Sequence, residues 1–301
     1  MKIKQVNLNF FYGYRCNYSC DGCFSGSDSV DQSLWDPDLN KLKQSIKRSS
    51  ELFEITSMIT LIGGEPFLYW DERILPLALE LNSHFPSTRI NITTNGQLLG
   101  KNLEKVLLLS EKINNFSISI SKHLQGSKGT KIEKIWQKSI DDFISHPNII
   151  KIHDDHYHVS GNINANIYFY SSDTWKPYYY RTPEGKIKPW KTNDPAGSLK
   201  HGCPGSVCSC IIDDKLYKCP TLATLPGHLS AIGQDQDSDW KKYLDYPAID
   251  LNTIDPDSWN EFNRTYGKPT TYCDMCNNNP KFNIKWQERS YPMIFRKDLQ
   301  L

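Results

Sequence analysis

The chain has 301 residues, which is enough for one large domain and a smaller one with an ample core. Its formal net charge of +1 gives no overall electrostatic signature of a protein that binds nucleic acid or an anionic membrane. The sequence shows no charged-then-apolar leader and no long apolar run, so it predicts neither a signal peptide nor a membrane span. The nine cysteines therefore indicate metal thiolates in a reducing cytoplasm, in place of secreted disulfides.

Strand-like and helix-like segments alternate through the first half of the chain. Short apolar or alternating runs predict strands at residues 6–12, 57–62, 89–94, 116–121 and 149–153. Helical spacing of apolar residues predicts helices at 34–53, 72–85, 102–113 and 132–145. This order is typical of parallel strands joined by crossover helices, with an active site at the carboxyl ends of the strands. We therefore expect an α/β fold with a partial, TIM-like (β/α)6 barrel.

The character of the sequence changes after about residue 170. A stretch at 175–195 is rich in Trp, Tyr and Pro without helical periodicity, and six of the nine cysteines lie beyond residue 200. We predict a partial-barrel core over residues 1–175 and a smaller C-terminal module, with the C-terminal tail, over residues 176–301.

Three closely spaced cysteines near the start of the chain carry the most chemical information. Cys16, Cys20 and Cys23 have the spacing CxxxCxxC and follow the first predicted strand. A 4Fe–4S cluster takes four ligands, so a loop with three thiolates leaves one iron open for a small molecule. The alternatives are a zinc knuckle or unrelated buried thiols. A zinc knuckle needs a fourth Cys or His nearby, and no His lies between Asn7 and Asn82.

Two further motifs follow the next two predicted strands. GGEP at residues 63–66 follows the second strand, and TTNG at residues 93–96 follows the third. Together with the CxxxCxxC loop, these ordered motifs resemble the radical S-adenosylmethionine (radical SAM) superfamily over roughly residues 4–170. The resemblance implies that the three cysteines hold a 4Fe–4S cluster and that S-adenosylmethionine (SAM) binds its open iron. Reductive cleavage of SAM would then give a 5′-deoxyadenosyl radical that abstracts hydrogen from a substrate.

The resemblance also assigns a role to the segment formed by Gly63, Gly64 and Glu65, here called the GGE segment. In the family this segment meets the methionyl ammonium of SAM, with two glycines for close approach and a carboxylate for charge complementarity. An ordinary strand-to-helix turn with Pro66 at the first helical position would have the same sequence.

Other cofactor contacts implied by the family come from the ends of later strands. Candidate residues for the SAM ribose or carboxylate are Asn95, Ser119 and Ser121. For the two serines, the alternative is a polar barrel interior. Segment 159–163 would supply the adenine contact of a fifth strand. The family commonly has an aromatic residue just before the third cysteine, where this chain has Gly22; Tyr18 or Phe24 would then replace it.

A second set of cysteines resembles the auxiliary-cluster modules of radical SAM enzymes called SPASM and twitch domains. The four that fit this pattern are Cys203, Cys219, Cys273 and Cys276. Position 214 is Asp where the family has Gly, which a hairpin turn tolerates. A full SPASM domain would have cysteines at Phe282 and Trp286, so the chain resembles the shorter twitch type with one auxiliary 4Fe–4S cluster. The alternative for the same four residues is a tetrahedral zinc site.

Two cysteines, Cys208 and Cys210, remain outside both sets and lie on one face of a strand if the segment is extended. They are either inert thiols packed as small apolar residues, hydrogen-atom donors to a substrate radical, or ligands exchanging with Cys203.

The leading interpretation is a cytoplasmic radical SAM enzyme of the oxidoreductase, epimerase or isomerase type, without a membrane partner. We expect a one-electron reductant such as flavodoxin or ferredoxin. The lack of room for a peptide-recognition domain before the first strand favours a polar small-molecule substrate, such as an amino sugar or nucleotide. The alternatives are a ribosomal-peptide maturase, a nucleobase-modifying enzyme, or a non-catalytic zinc or iron–sulfur binding module.

Overall fold

A computed structural model describes residues 3–18, 20, 22–26, 36–121, 131–170, 174–175, 177–200, 203, 208–279 and 284–285. The strands are β1 (Ile3–Phe11), β2 (Phe53–Ile62), β3 (Arg89–Thr94), β4 (Phe116–Ser121), β5 (Ile149–His153), β6 (His156–Val159), β7 (Asn162–Tyr170), β8 (Thr174–Trp175), β9 (Tyr179–Arg181), β10 (Ile187–Pro189), β11 (Cys208–Ile212), β12 (Lys215–Tyr217), β13 (Ile249–Asp250) and β14 (Ile284–Lys285). The α-helices are α1 (Leu39–Leu52), α2 (Leu75–His84), α3 (Leu103–Lys112), α4 (Lys131–Ile144), α5 (Pro195–Lys200), α6 (Pro220–Ala231), α7 (Lys241–Leu244) and α8 (Pro256–Thr265). Short helical turns lie at Pro66–Leu68, Trp70–Ile74, Gly100–Asn102 and Thr271–Met275.

Ten strands form one sheet in the order β13-β12-β11-β1-β2-β3-β4-β7-β6-β5. The six strands in the middle, from β11 to β7, all pair in parallel. Antiparallel strands extend both ends, β12 and β13 at one end and β6 and β5 at the other. The predicted α/β fold with a mostly parallel sheet, as in a partial barrel, is confirmed.

Two of the six parallel strands are not the ones that the sequence predicts. The predicted strand at residues 149–153 is present as β5, but it is an antiparallel edge strand, and β7 lies beside β4 instead. The sixth parallel strand is β11, which pairs with β1. The sheet therefore continues across the predicted boundary at residues 175 and 176. The division into two domains stays a prediction.

The two faces of the parallel strands differ in polarity because side chains alternate along a strand. In β4, Ile118 and Ile120 are fully buried in a hydrophobic cluster that includes residues of α1, α2, α3 and α4. On the other face, one polar side chain from each of the five strands β1, β2, β3, β4 and β7 contributes to a continuous row across the sheet. This polar row consists of Asn9, Thr60, Asn91, Ser117 and Asn166, which are partners in the registers of neighbouring strands.

Amphipathic helices cover the apolar face. All four predicted helices are present, and α4 shows the reason: Trp136, Ile140 and Phe143 recur at helical spacing and are buried together. At the start of α1, Asp38 accepts a hydrogen bond from the main-chain N–H of Lys41 and caps the helix. No helix in the described part of the chain combines the length and the apolarity needed to cross a membrane.

The turn between β11 and β12 confirms the predicted hairpin at position 214. Asp213 and Asp214 both have positive φ, 47° and 60°, as both central residues of a two-residue type I′ turn require. Aspartate tolerates this left-handed conformation better than most residues, which explains why it can stand where a glycine would be expected.

Candidate functional site

Described residues of the loops that follow β1, β2 and β3, together with the last residue of β4, meet around one cavity, here called the loop cavity. Its lining includes all three cysteines of the CxxxCxxC loop, the whole GGE segment, Asn95 and Ser121. These residues come from four different strand ends, and the parallel arrangement brings those ends to one edge of the sheet. The structure therefore places most of the sequence-predicted cofactor residues together.

The GGE segment is packed directly against the loop of residues 12–26, which carries Cys16, Cys20 and Cys23 and is here called the cysteine loop. The main-chain N–H of Gly64 donates to Gly13 O at 2.8 Å, and that of Glu65 donates to Arg15 O at 2.9 Å. A Cβ atom on Gly64 would lie 1.9 Å from Arg15 O, so only glycine permits this approach. The sequence predicts glycine at position 64 for close approach to a ligand. The structure adds a second reason, which is the close contact between this segment and the cysteine loop.

Glu65 is almost fully buried, with 1% of its surface exposed, and its carboxylate joins two loops. One oxygen accepts from Thr94 Oγ1 at 2.7 Å, and the other accepts from the main-chain N–H of Asn95 at 2.9 Å. Burial raises the pKa of Glu65 to about 7, and the hydrogen bonds from Asn95, Thr94 and Phe67 oppose this rise. The carboxylate therefore fixes the end of β3 against the end of β2, in addition to lining the loop cavity.

Asn95 belongs to a chain of buried side-chain amides. Its Nδ2 donates to Asn17 Oδ1 at 2.8 Å and lies 3.9 Å from Cys16 Sγ, within the range of a weak N–H···S hydrogen bond. The Asn17 amide in turn donates to Gln97. Trp136 of α4 donates its indole N–H to Asn95 O at 2.8 Å. Asn95 is thus positioned beside the first cysteine by helix α4 and by its neighbouring amides.

The two candidate serines of β4 differ in their surroundings. Ser121 lines the loop cavity, whereas Ser119 donates to Asn91 Oδ1 at 2.7 Å within the sheet and is not among the described residues that line that cavity. The surroundings of Ser119 therefore match the alternative to a SAM contact, in which the serine is part of a polar barrel interior. Tyr18 and Phe24, the two candidate aromatic replacements, both line the loop cavity.

Segment 159–163 does not reach the loop cavity. It consists of the last residue of β6, the two-residue turn that follows and the first two residues of β7. Strand β7 runs parallel to β4. The segment therefore lies at the amino end of β7, and the cavity lies at the carboxyl ends of the strands. The predicted adenine contact from this segment is wrong, because a hairpin precedes the fifth parallel strand.

The cysteine loop is also held by residues from the C-terminal half, which the sequence did not single out. Tyr179 Oη accepts from the main-chain N–H of Gly22 at 2.7 Å, and Thr224 Oγ1 of α6 donates to Phe24 O at 2.5 Å. His228 of α6 packs so closely on Gly26 that a Cβ there would lie 2.4 Å from its ring. Gly22 has a φ of 70°, which a glycine adopts without strain and an aromatic residue would not. Glycine before the third cysteine therefore follows from the local backbone.

The four cysteines of the second set line a second cavity, here called the auxiliary cavity. Cys203, Cys219, Cys273 and Cys276 come from separate parts of the chain and meet there with Lys218. Cys219 immediately precedes α6, where a thiolate is stabilised by the helix N-terminus. Burial nevertheless raises the pKa of the Cys219 thiol to about 12 when it carries no metal, and the hydrogen bond from Leu222 and the charge of Lys218 oppose this rise.

The two remaining cysteines lie in β11. Cys210 is fully buried in a small apolar cluster with Phe11, Tyr14 and Ile212, and it is not among the described residues that line either cavity. This position favours the interpretation of Cys210 as an inert, packed thiol. For Cys208 the structure describes the backbone, which pairs with Asn7 of β1.

Both cysteine sets fit iron–sulfur clusters by the chemistry of their donors. Three thiols meet at the loop cavity without a fourth cysteine among its described lining residues, as a cluster with one open iron requires. Four thiols meet at the auxiliary cavity, as a fully ligated cluster requires. Within the described residues, no group of three or more His, Cys, Asp or Glu side chains is arranged to hold a single metal ion.

One comparison with known proteins matches the part of the chain that carries the first of these two sites. Residues 10–122 match the family model described as the Radical SAM superfamily. No curated protein matches the chain. Among solved structures, the chain is similar to a histidine-tagged form of anSMEcpe with bound AdoMet, at 16% identity and a TM-score of 0.45 over 90% of this chain and 91% of that chain. It is also similar to "Native anSMEcpe with bound AdoMet and Cp18Cys peptide", at 15% identity and a TM-score of 0.43 over 90% of this chain and 94% of that chain.

Proposed function

We propose, from the premise that residues 10–122 form a radical SAM domain, that the chain is a radical SAM enzyme whose Cys16, Cys20 and Cys23 hold a 4Fe–4S cluster. The observation that carries the proposal is the meeting of these three cysteines with the GGE segment at the loop cavity. The chemistry that the cluster and SAM would supply when held there is a 5′-deoxyadenosyl radical for hydrogen abstraction from a substrate.

The residues of the chain bind, orient and shield these groups. The three thiolates would hold the iron, and the hydrogen bonds of Gly64 and Glu65 to the cysteine loop fix the distance between those thiolates and the GGE segment. Asn95 and Ser121 present polar atoms to the same cavity for the amino acid or ribose part of SAM. Tyr18 and Phe24 cover part of the cavity with aromatic surface, which excludes water from a reactive radical.

A polar substrate is supported by the face of the sheet that leads to the loop cavity. Ile62, Thr93 and Ser121 line the cavity, and in each strand the residue two positions earlier is on the same face. Those residues are Thr60, Asn91 and Ser119, of which the first two belong to the polar row. A face of neutral hydrogen-bonding side chains suits a substrate with hydroxyl or amide groups, and we propose a polar small molecule.

The second part of the proposal is one auxiliary 4Fe–4S cluster of the twitch type in the auxiliary cavity. The meeting of Cys203, Cys219, Cys273 and Cys276 there supports it. Four thiolates would saturate the cluster, which suits electron transfer better than direct binding of substrate. A one-electron reductant of the flavodoxin or ferredoxin class would supply the first electron, and in an oxidation the auxiliary cluster would accept the electron left on the substrate.

The experiment that tests the proposal measures cleavage of SAM. The purified chain is reconstituted anaerobically with iron and sulfide, reduced with dithionite and mixed with SAM, and 5′-deoxyadenosine and methionine are quantified. We expect both products from the unaltered chain and none from Cys16→Ala. Cys210→Ala is the matched control, because Cys210 is a buried cysteine outside both cavities and should leave cleavage unchanged.

Two outcomes would contradict the proposal. One is 5′-deoxyadenosine formed by Cys16→Ala at the rate of the unaltered chain. The other is a reconstituted protein that binds zinc or iron but does not cleave SAM, which would support the binding-module alternative.

A further inference from the structure

Lys218 lies among the cysteines of the auxiliary cavity and is nearly excluded from water, with 4% of its surface exposed. Its Nζ donates to two main-chain carbonyls, Thr265 O at 2.8 Å and Lys268 O. Thr265 is the last residue of α8, and Lys268 lies in the turn after it, which leads directly to the short helix that carries Cys273. Across the described residues, no carboxylate lies within ion-pair distance of this ammonium.

A buried ammonium without a carboxylate partner costs free energy, because main-chain carbonyls replace only part of the hydration that the charge loses. Among the described residues that line the auxiliary cavity with Lys218, the side chains that become anionic as cluster ligands are the four cysteines. A cluster with four thiolate ligands has a net negative charge, and reduction by one electron makes that charge larger.

We propose that Lys218 is a positioning residue that raises the reduction potential of the iron–sulfur cluster held by Cys203, Cys219, Cys273 and Cys276. This inference rests on the auxiliary cluster of the proposed function and names the residue that regulates it. The ammonium stabilises the reduced cluster more than the oxidised one, because the reduced cluster carries one more negative charge. A higher potential makes the cluster a better acceptor for an electron left on the substrate after hydrogen abstraction.

The same hydrogen bonds would be found if Lys218 only anchored the segment that carries Cys273. Lys242 provides a control that separates this anchoring role from an effect of the buried charge. Lys242 Nζ donates to Thr271 O at 2.8 Å and to Asp274 Oδ2 at 2.6 Å, so it also anchors the segment that carries Cys273. Its side chain is 44% exposed and is paired with a carboxylate. It is not among the described residues that line the auxiliary cavity. Loss of Lys242 therefore removes an anchor of this segment without removing the buried charge.

The test compares Lys218→Met, Lys218→Gln, Lys218→Arg and Lys242→Met in the full reconstituted chain. For each variant, iron per chain is counted, and the midpoint potential is read from the EPR signal that SAM leaves unchanged. We expect the two neutral Lys218 variants to keep their iron and to shift to a more negative midpoint potential. Lys218→Arg and Lys242→Met should remain close to the unaltered chain.

Three outcomes would overturn the inference. The first is an unchanged midpoint potential in Lys218→Met or Lys218→Gln with iron retained. The second is an equal shift in Lys242→Met, which would assign the effect to anchoring. The third is loss of the cluster from Lys218→Arg as well as from both neutral variants, since the charge is then not the property that matters. If Cys219→Ser has the same iron content as the unaltered chain, the auxiliary cluster itself is wrong, which separates failure of the proposed function from failure of this inference.

Discussion

Thr224 Oγ1 donates a hydrogen bond to Phe24 O, so helix α6 is attached to the loop that carries Cys23. The same helix begins directly after Cys219, one of the cysteines of the auxiliary cavity. One helical turn after Thr224, His228 packs on Gly26 at the end of the cysteine loop. One rigid element thus connects the two sets of cysteines and fixes their relative positions.

Thr224→Val tests this connection. The change keeps the shape of the side chain and removes the hydroxyl, which leaves the partly buried Phe24 O with one hydrogen bond fewer. We expect the free energy of unfolding of the cluster-free chain to fall by about 1–3 kcal/mol in urea titrations. Thr265→Val is the control, because within the described part of the chain the Thr265 hydroxyl bonds to carbonyls of its own helix, Glu261 O and Phe262 O. Equal losses in both variants would contradict the special role of Thr224.

Gly64→Ala tests the contact between the GGE segment and the cysteine loop. The new Cβ would lie 1.9 Å from Arg15 O, and both atoms that collide belong to, or are fixed by, the backbone. We expect a loss of at least about 3 kcal/mol in the free energy of unfolding, or no folded protein. Gly185→Ala meets no atom within 4 Å but has a φ of 82°, so it should cost only about 1–2 kcal/mol. A Gly64→Ala protein as stable as Gly185→Ala would show that the two loops are not in contact.

Glu65→Gln tests the burial of this carboxyl group through pH. Because burial raises the pKa of Glu65 to about 7 from an ordinary value of 4.5, folding favours its neutral form. Its contribution to stability is full below about pH 4.5 and is lost as the pH rises through 7. Between about pH 5 and pH 8, the cluster-free chain should therefore lose about 1–3 kcal/mol more stability than Glu65→Gln. The measurement is the free energy of unfolding from urea titrations of both proteins at several pH values. If this free energy changes with pH by the same amount in the two proteins, the predicted burial effect of Glu65 is wrong.

Much of the first site follows from the sequence because its residues are consecutive or stand at the ends of predicted strands. The CxxxCxxC loop and the GGE segment are local motifs, and parallel strands necessarily bring their carboxyl ends to one edge. The sequence also predicts the hairpin turn at Asp213 and Asp214, since aspartate accepts positive φ. Local chemistry determines each of these features, so a single sequence suffices to predict them.

The features that the sequence does not predict depend on contacts between distant residues. Periodicity identifies a strand at residues 149–153 but not its direction, and only the pairing of β7 with β4 makes β5 an edge strand. In the same way, nothing local marks Tyr179 or Thr224, which contact a cysteine loop that is distant along the chain. The role of Lys218 likewise comes from its neighbours across the auxiliary cavity. A lysine next to a cysteine, as in the dipeptide Lys218-Cys219, is the one available signal.

Iron content is the sharpest test of whether the chain is an enzyme with two iron–sulfur clusters. The chain is reconstituted anaerobically, and iron and zinc are counted per chain in the unaltered protein, in Cys16→Ala/Cys20→Ala/Cys23→Ala and in Cys219→Ser/Cys273→Ser. We predict about eight irons in the unaltered chain and about four in each variant, with SAM perturbing an EPR signal only where the loop cysteines remain. Equal iron content in all three proteins, or zinc in place of iron at either site, would contradict the claim.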